Sequence, residues 1–200
     1  MNDTFALAAL LALALAACAS EEPRPAPARP QTSASRPLHQ AIATDRLEPH
    51  SCGSIQRLHT CGGIFLASQP AAADFQLAKD AGIKTVINLR KPDELVEFDE
   101  PKLVGELGLR YVSLPWNSAD ELTDAVFAEG RRLLDEAERP ILLHCHSGNR
   151  VGAIWLAWRA LDGGLSYEDA LAEARTVGLK APPLEAKARD YIERQRAAKR

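Results

Sequence analysis

No run of apolar residues in this chain is long enough to cross a bilayer, neither sign of charge is in excess, no internal repeat is visible, and cysteine occurs only four times. The longest apolar run, Phe5 to Ala17, falls well short of a membrane span. With 24 Lys and Arg against 27 Asp and Glu, the net charge is -3, and no basic patch of the kind that binds nucleic acid stands out. The basic finish Arg194, Arg196, Lys199 and Arg200 alternates with neutral residues and reads as the solvated face of a terminal helix. At 200 residues and 46% hydrophobic, the chain can build one ordinary core but not two.

The apolar run ends in Leu15-Ala16-Ala17-Cys18. Small residues ahead of a cysteine resemble a bacterial lipobox, in which the Cys takes up a lipid and becomes the mature first residue. The other reading is an ordinary secretory signal cleaved after Ala17 or Ala19; Met1 to Thr4 carries no Lys or Arg, a departure from both patterns. Ala19 in place of Asp after the cysteine resembles lipoproteins sent to the outer membrane. Residues 1–18 are therefore expected to form a signal peptide, anchoring the protein to the bacterial membrane with its domain facing the periplasm. Residues 19–44 follow as a tether, with five prolines from Pro23 to Pro37 and hardly a bulky apolar side chain to bury.

Residues 45–200 form the folded part. Cys52 and Cys61, in an exported chain, read as a disulfide closing a short loop. His50 and His59 precede them by two residues each, so a two-Cys, two-His metal site and unpaired thiols stay open, although the spacing is not a standard zinc signature.

Short strands are expected at Ile64 to Ala67, Lys84 to Leu89, Arg110 to Leu114 and Ile141 to His144. Helices are expected at about 70–80, 93–107, 119–138, 151–161, 167–176 and 183–196. Strands alternating with helices imply an α/β fold, a central mostly parallel sheet flanked by helices, with the all-apolar strand ending at His144 in its middle.

Ligands of such sheets bind beyond the carboxyl ends of strands, where His144-Cys145-His146-Ser147-Gly148-Asn149-Arg150 lies. Ser147 and Gly148 let the backbone curl into a nest of N–H groups at the positive end of the next helix, and His146, Ser147, Gly148 and Asn149 supply amides for an oxyanion. Arg150 can present a planar fork to two oxygens. The same amides and dipole would stabilise a Cys145 thiolate, making it a nucleophile. His144 either orients the loop by a hydrogen bond or is a satisfied histidine at a strand end. A metal held by His144, Cys145 and His146 is not expected, because adjacent residues rarely ligate one ion.

This loop, with its strand and helix, resembles the cysteine-dependent phosphatases of the dual-specificity, tyrosine-phosphatase-like superfamily, whose motif is His-Cys, an intervening stretch and Arg. Ala81 to Arg90 and Gly108 to Pro115 are similar to the approach strands of its bacterial branch of beta-lactamase-hydrolase-like phosphatases. The resemblance implies hydrolysis of a phosphate monoester, protein phosphotyrosine among the candidates, through a phosphocysteine on Cys145, with Arg150 and the loop amides holding the oxygens and no cofactor. It also implies an acid upstream of the cysteine: Asp120 is the first candidate, Glu121 and Asp124 its rivals, and Asp120 reads equally as a helix N-terminal acid. Two features depart from the pattern. Four residues rather than five separate Cys145 from Arg150, a length shared with rhodanese-like sulfurtransferases, and Val151 stands where many phosphatases carry a hydroxyl. A sulfurtransferase and a phosphate-binding module with weak turnover are the alternatives. Arg90 either faces the site or is solvated.

If residues 1–18 act as a lipoprotein signal, the exported chain will partition into detergent with a lipid mass on Cys18, and Cys18→Ser will release it. A mature form that begins elsewhere and stays in the aqueous phase would refute the anchor.

Overall fold

In a computed structural model the described residues are 45–94 and 96–199; the expected signal peptide with Cys18, and the tether, lie outside them. Among them six strands run in chain order as β1 (Glu48–Pro49), β2 (Leu58–Cys61), β3 (Ile64–Ala67), β4 (Thr85–Asn88), β5 (Arg110–Ser113) and β6 (Ile141–His144). They form one sheet in the order β1-β2-β3-β6-β4-β5. The pairings of β3 with β6, β6 with β4 and β4 with the edge strand β5 are parallel, while β1, β2 and β3 join antiparallel. Strand β6, buried at every position, sits in the interior as its unbroken Ile141-Leu142-Leu143 run demands. The α/β architecture is thus the one expected from the pattern.

Strands β1 and β2 are additions to that pattern. Gly62 and Gly63 both hold positive φ, 56° and 81°, which allows the two-residue turn that folds β2 back on β3.

Among the described residues six helices cover the faces: α1 (Ala72–Asp80), α2 (Glu100–Glu106), α3 (Asp124–Glu136), α4 (Asn149–Leu161), α5 (Tyr167–Val177) and α6 (Pro182–Ala198). Strand alternation divides the core. Val86 and Leu142 pack with Phe75 and Ala78 of α1 and Val104 of α2, whereas Ile87, Leu89, Ile141 and Leu143 face Leu134 of α3 and Ile154 of α4. Helix α4 is buried from Arg150 to Ala157, in keeping with a sequence apolar on nearly every side.

Two helix starts differ from expectation. The helix placed at about 93–107 begins only at Glu100, because Pro101 fits the first turn but not a helix interior, and Asp99 caps it by accepting from Lys102 N–H. The helix placed at about 119–138 begins at Asp124, where Thr123 accepts from Val126 N–H.

The expected Cys52–Cys61 disulfide is corrected: both are free thiols. Cys61 ends β2 with its side chain in the core on the α4 face, and burial pushes its thiol up to about 11. Cys52 packs at the edge of the other cluster, on the α1 face. The sheet separates them, so no bridge can close without moving the backbone. Among the described residues no three His, Cys, Asp or Glu side chains gather as a metal site, and His50 instead packs edge-on against Phe65.

Gly152 marks the tightest approach of α4 to its neighbours. A Cβ there would lie 2.7 Å from the Ala174 carbonyl oxygen and 2.8 Å from Leu179 Cβ. Gly152→Ala should therefore destabilise the fold by about 1–3 kcal/mol in urea unfolding, against the small gain that alanine brings to an unconstrained helix. An unchanged midpoint would show that α4 and α5 can separate freely.

Candidate active site

The loop after β6 carries Cys145 buried (1% exposed) and Arg150 buried (5%) within the first turn of α4. Gly148, at φ 91°, turns the chain into the helix and donates its N–H to Cys145 Sγ at 3.2 Å. No L side chain fits there: a Cβ would stand 2.4 Å from the Val177 carbonyl oxygen. Neighbouring segments fix the rest of the loop. Gln69 N–H donates to the His146 carbonyl (3.1 Å), and Asn149 Oδ1 accepts from Lys180 and Ala181 N–H (2.9 and 3.2 Å). The Asn149 side-chain oxygen is thus turned to the segment after α5, while His146 and Ser147 are exposed at the rim.

Arg150 is oriented by elements far from it in sequence. Its Nη1 donates to the carbonyls of Leu89 (3.2 Å) and Trp116 (2.8 Å) and to Glu94 Oε1 (2.5 Å), and its Nη2 donates to Glu94 Oε2 (2.6 Å). A guanidinium has five N–H groups. Three acceptors occupy Nη1 and a fourth takes one hydrogen of Nη2, which leaves Nε–H and the second Nη2–H as a parallel pair. Cys145 bears on Arg150 too: burial opposes the guanidinium's charge, but the Glu94 hydrogen bond and the charge of Cys145 outweigh it. That N–H pair, on which the Cys145 sulfur itself bears by a hydrogen bond, and the sulfur are the two halves of an oxyanion site.

Glu94, on the loop after β4, carried no assignment from sequence. The hydrogen bonds from Arg150 hold its carboxyl down at about 2 against the desolvation that opposes them, with Lys91 N–H assisting. The carboxylate is thus fully ionised above about pH 4.5, and the pair weakens only as pH falls towards 2. Arg90, buried, faces the site: its Nε lies 3.4 Å from Glu94 Oε2, and its Nη2 donates to the Glu94 carbonyl at 2.8 Å. An arginine buried among apolar residues needs a carboxylate, a signal in the sequence that calls for a partner without naming it.

On the opposite face of the sheet His144 is wholly buried, with Nε2 2.9 Å from Glu100 Oε1. The single ring bond to Glu100 fits both readings of His144, an orienting residue or a strand-end histidine with a partner; Glu100, like Glu94, was not found from sequence. Asn88 also joins this group, donating to Glu100 Oε1 at 2.8 Å. A cleft of about 300 Å³, lined by Arg90, Glu94, Phe98, Glu100 and Tyr111 among others, opens beside these residues.

The acid candidates separate clearly. Asp124 opens α3 and pairs with Arg194, while Glu121 accepts from Asn117 N–H (2.7 Å) and pairs with Lys91 (2.9 Å). Asp120 is exposed on the turn ahead of α3 and makes no hydrogen bond or ion pair among the described residues. It is not a first-turn helix acid; that place belongs to Asp124. Trp116, for which sequence offered no role, serves through its carbonyl.

No protein-family model matches the chain. Over 139 residues it is 30% identical to the beta-lactamase hydrolase-like protein of Agrobacterium fabrum, covering 68% of this chain and 31% of that one. Over 118 residues it is 31% identical to the dual specificity protein phosphatase TpbA of Pseudomonas aeruginosa, covering 58% of this chain and 51% of TpbA. The chain thus spans about half or less of the curated relatives it matches. The crystal structure of P. aeruginosa TpbA superimposes with a TM-score of 0.56 at 28% identity, covering 70% of this chain and 84% of that one. A Cys-to-Ser TpbA in complex with pTyr gives 0.58 at 25% identity, covering 75% and 90%. In its fold, its relatives and its Cys145–Arg150 loop, the chain is similar to the cysteine-dependent, tyrosine-phosphatase-like superfamily.

Proposed function

We propose that this protein hydrolyses phosphate monoesters through Cys145, with protein phosphotyrosine as the substrate class to test first. The observation that carries the reading is the donor pair left on Arg150 beside the Cys145 sulfur, once Glu94, Leu89 and Trp116 have taken the other N–H groups. A dianionic phosphoryl group seated there receives two N–H bonds from Arg150 and further ones from the loop amides, which strengthen as charge spreads over the equatorial oxygens.

The reaction has two displacements. The Cys145 thiolate attacks phosphorus, the S–P bond forms as the bond to the ester oxygen breaks, and that oxygen takes a proton from Asp120. Water then attacks the phosphocysteine, giving its proton back to Asp120 while the S–P bond breaks and inorganic phosphate leaves. The buried Val151 supplies no hydroxyl to the departing sulfur, so this second step is expected to be slow. The titration of Glu94 lies far below neutrality, and the clamp is loaded at any pH where a thiolate forms. The pTyr complex of the related TpbA supports the choice of substrate class. For placement, the lipobox at Cys18 supports a lipid-anchored protein with its catalytic domain in the periplasm.

Cys145→Ser should abolish hydrolysis of an aryl phosphate and its inhibition by vanadate. Arg150→Lys should cost on the order of 100-fold or more in kcat, since an ammonium keeps the charge but not the paired donors. Transfer of sulfur from thiosulfate to cyanide, with a persulfide on Cys145, would establish the sulfurtransferase instead. Phosphate binding without either turnover would leave a binding module.

Removing the partner of Arg150 tests how much of the clamp is orientation. Glu94→Ala should lower kcat/KM by roughly 100-fold although it adds net positive charge, because a freed guanidinium no longer presents its remaining pair to the loop. Glu94→Gln, which keeps one acceptor, should fall between. Equal or higher activity in Glu94→Ala, measured from pH 5 to 8, would show that the carboxylate competes with the substrate for Arg150 rather than serving it.

A further inference from the structure

The buried group on the other side of β6 is not used in the two displacements above. Glu100, 3% exposed, opens α2 and receives three donors: His144 Nε2 and Asn88 Nδ2 on Oε1 (2.9 and 2.8 Å) and Gln69 Nε2 on Oε2 (2.9 Å). The two amides cannot be turned round. Asn88 Oδ1 accepts from Arg90 N–H (2.7 Å), and Gln69 Oε1 accepts from Arg90 Nη1 (2.5 Å). Asn88 Nδ2 also lies 2.9 Å from the Tyr111 hydroxyl.

We propose that Glu100 is a positioning residue for the nucleophile: its carboxylate fixes the tautomer and orientation of the His144 ring, and the ring fixes the strand end from which Cys145 projects. The inference rests on the reading of Cys145 as the nucleophile.

An ionised carboxylate can only accept hydrogen bonds, so His144 must carry its proton on Nε2. Burial pushes the Glu100 carboxyl up, but His144, Gln69 and the charge of Arg90 more than offset it, leaving Glu100 below the usual carboxylate range. The other charged or titratable groups facing this pair are Tyr111, raised to about 12 chiefly by burial and then by the Glu100 charge, and Asp99, which acts on Tyr111. From α1 the neighbour is the uncharged Phe75, edge-on to the ring at 6.0 Å.

With the proton on Nε2, the atom left buried without a partner is the Nδ1 lone pair. The opposite tautomer would bury an orphan N–H, a rarer and costlier arrangement. The His144 carbonyl accepts from Leu89 N–H (3.0 Å), and successive side chains of a strand alternate, so His144 points to the α1 and α2 face while Cys145 points to the α4 face. A ring held at both its Nε2 and its backbone cannot rotate, and the direction of Cys145 Sγ follows.

The test uses the full chain. Long-range ¹H–¹⁵N correlation should show His144, identified by loss of its signals in His144→Gln, as the Nε2–H tautomer. A neutral Gln at 100 cannot accept from all three donors, and its amide can donate to the ring. Glu100→Gln should therefore admit the other tautomer, slow alkylation of the Cys145 peptide by iodoacetamide at pH 7, and lower kcat on an aryl phosphate on the order of tenfold with KM little changed. Glu100→Asp, retaining a carboxylate, should recover part of each loss. A wild-type His144 protonated on Nδ1 alone would overturn the proposal without any variant. So would a Glu100→Gln protein that loses thermal stability and activity together while the tautomer and the alkylation rate stay as in the wild type. If alkylation and tautomer respond but the wild type hydrolyses no phosphate ester, the positioning role stands and the phosphatase reading falls.

Discussion

A guanidinium buried at the first turn of a largely apolar helix has to be neutralised, and in this protein Glu94 does so through two hydrogen bonds to Arg150. Without a partner, a buried charge costs several kcal/mol or more, enough to expel the side chain or unseat the helix. The pairing draws together three segments that the sheet alone would not join. These are the loop after β4 through Glu94 and Leu89, the loop after β5 through Trp116, and the start of α4. Their convergence at the carboxyl edge of the parallel strands fixes a guanidinium where a helix N-terminus alone would offer only a dipole.

The sheet then separates two charged assemblies. On the α4 face stands Arg150 with Glu94 and Cys145; on the α1 and α2 face stands Glu100 with His144, Asn88 and Gln69. Arg90 connects them, lying against Glu94 while donating to both Asn88 and Gln69. Every donor and acceptor assignment in the second assembly follows once the Glu100 carboxylate is ionised. A buried polar group satisfied in this way specifies one arrangement of its neighbours, whereas a half-satisfied one would permit several. Two consecutive residues, His144 and Cys145, are each held from opposite sides of the sheet.

Much of this was legible in the sequence, for reasons that also mark the limit. Strands β3 to β6 stand out because β-branched and apolar runs are bounded by Gly or Pro, and β6 declares itself central because none of its first three residues is polar. The short edge strands β1 and β2 have no such run. Helix starts went astray where local chemistry outranks periodicity, at Pro101 and at the Thr123 cap. Cys145, Gly148 and Arg150 are legible because they are contiguous. Glu94 and Glu100 are not, because their partners lie 56 and 44 residues away, and a single sequence shows that a buried Arg or His needs a carboxylate without saying which. The disulfide failed for a related reason: proximity in sequence says nothing about which face of a sheet a side chain occupies.

The short loop between Cys145 and Arg150 is best understood from what surrounds it. With four residues rather than five, fewer amides are available to curl around an anion, and the shape of the turn must be imposed from outside. Three ties do this. Gln69 holds the His146 carbonyl, the Lys180 and Ala181 amides hold Asn149, and the Val177 carbonyl leaves room at residue 148 only for glycine. The Gly148 N–H, delivered to Cys145 Sγ, is the product of these constraints. Because the segment 177–181 that supplies two of them connects α5 to α6, the helical layer outside α4 shapes the site directly as well as covering the core. The catalytic loop is consequently as much a property of that outer layer as of the strand and helix that carry its residues.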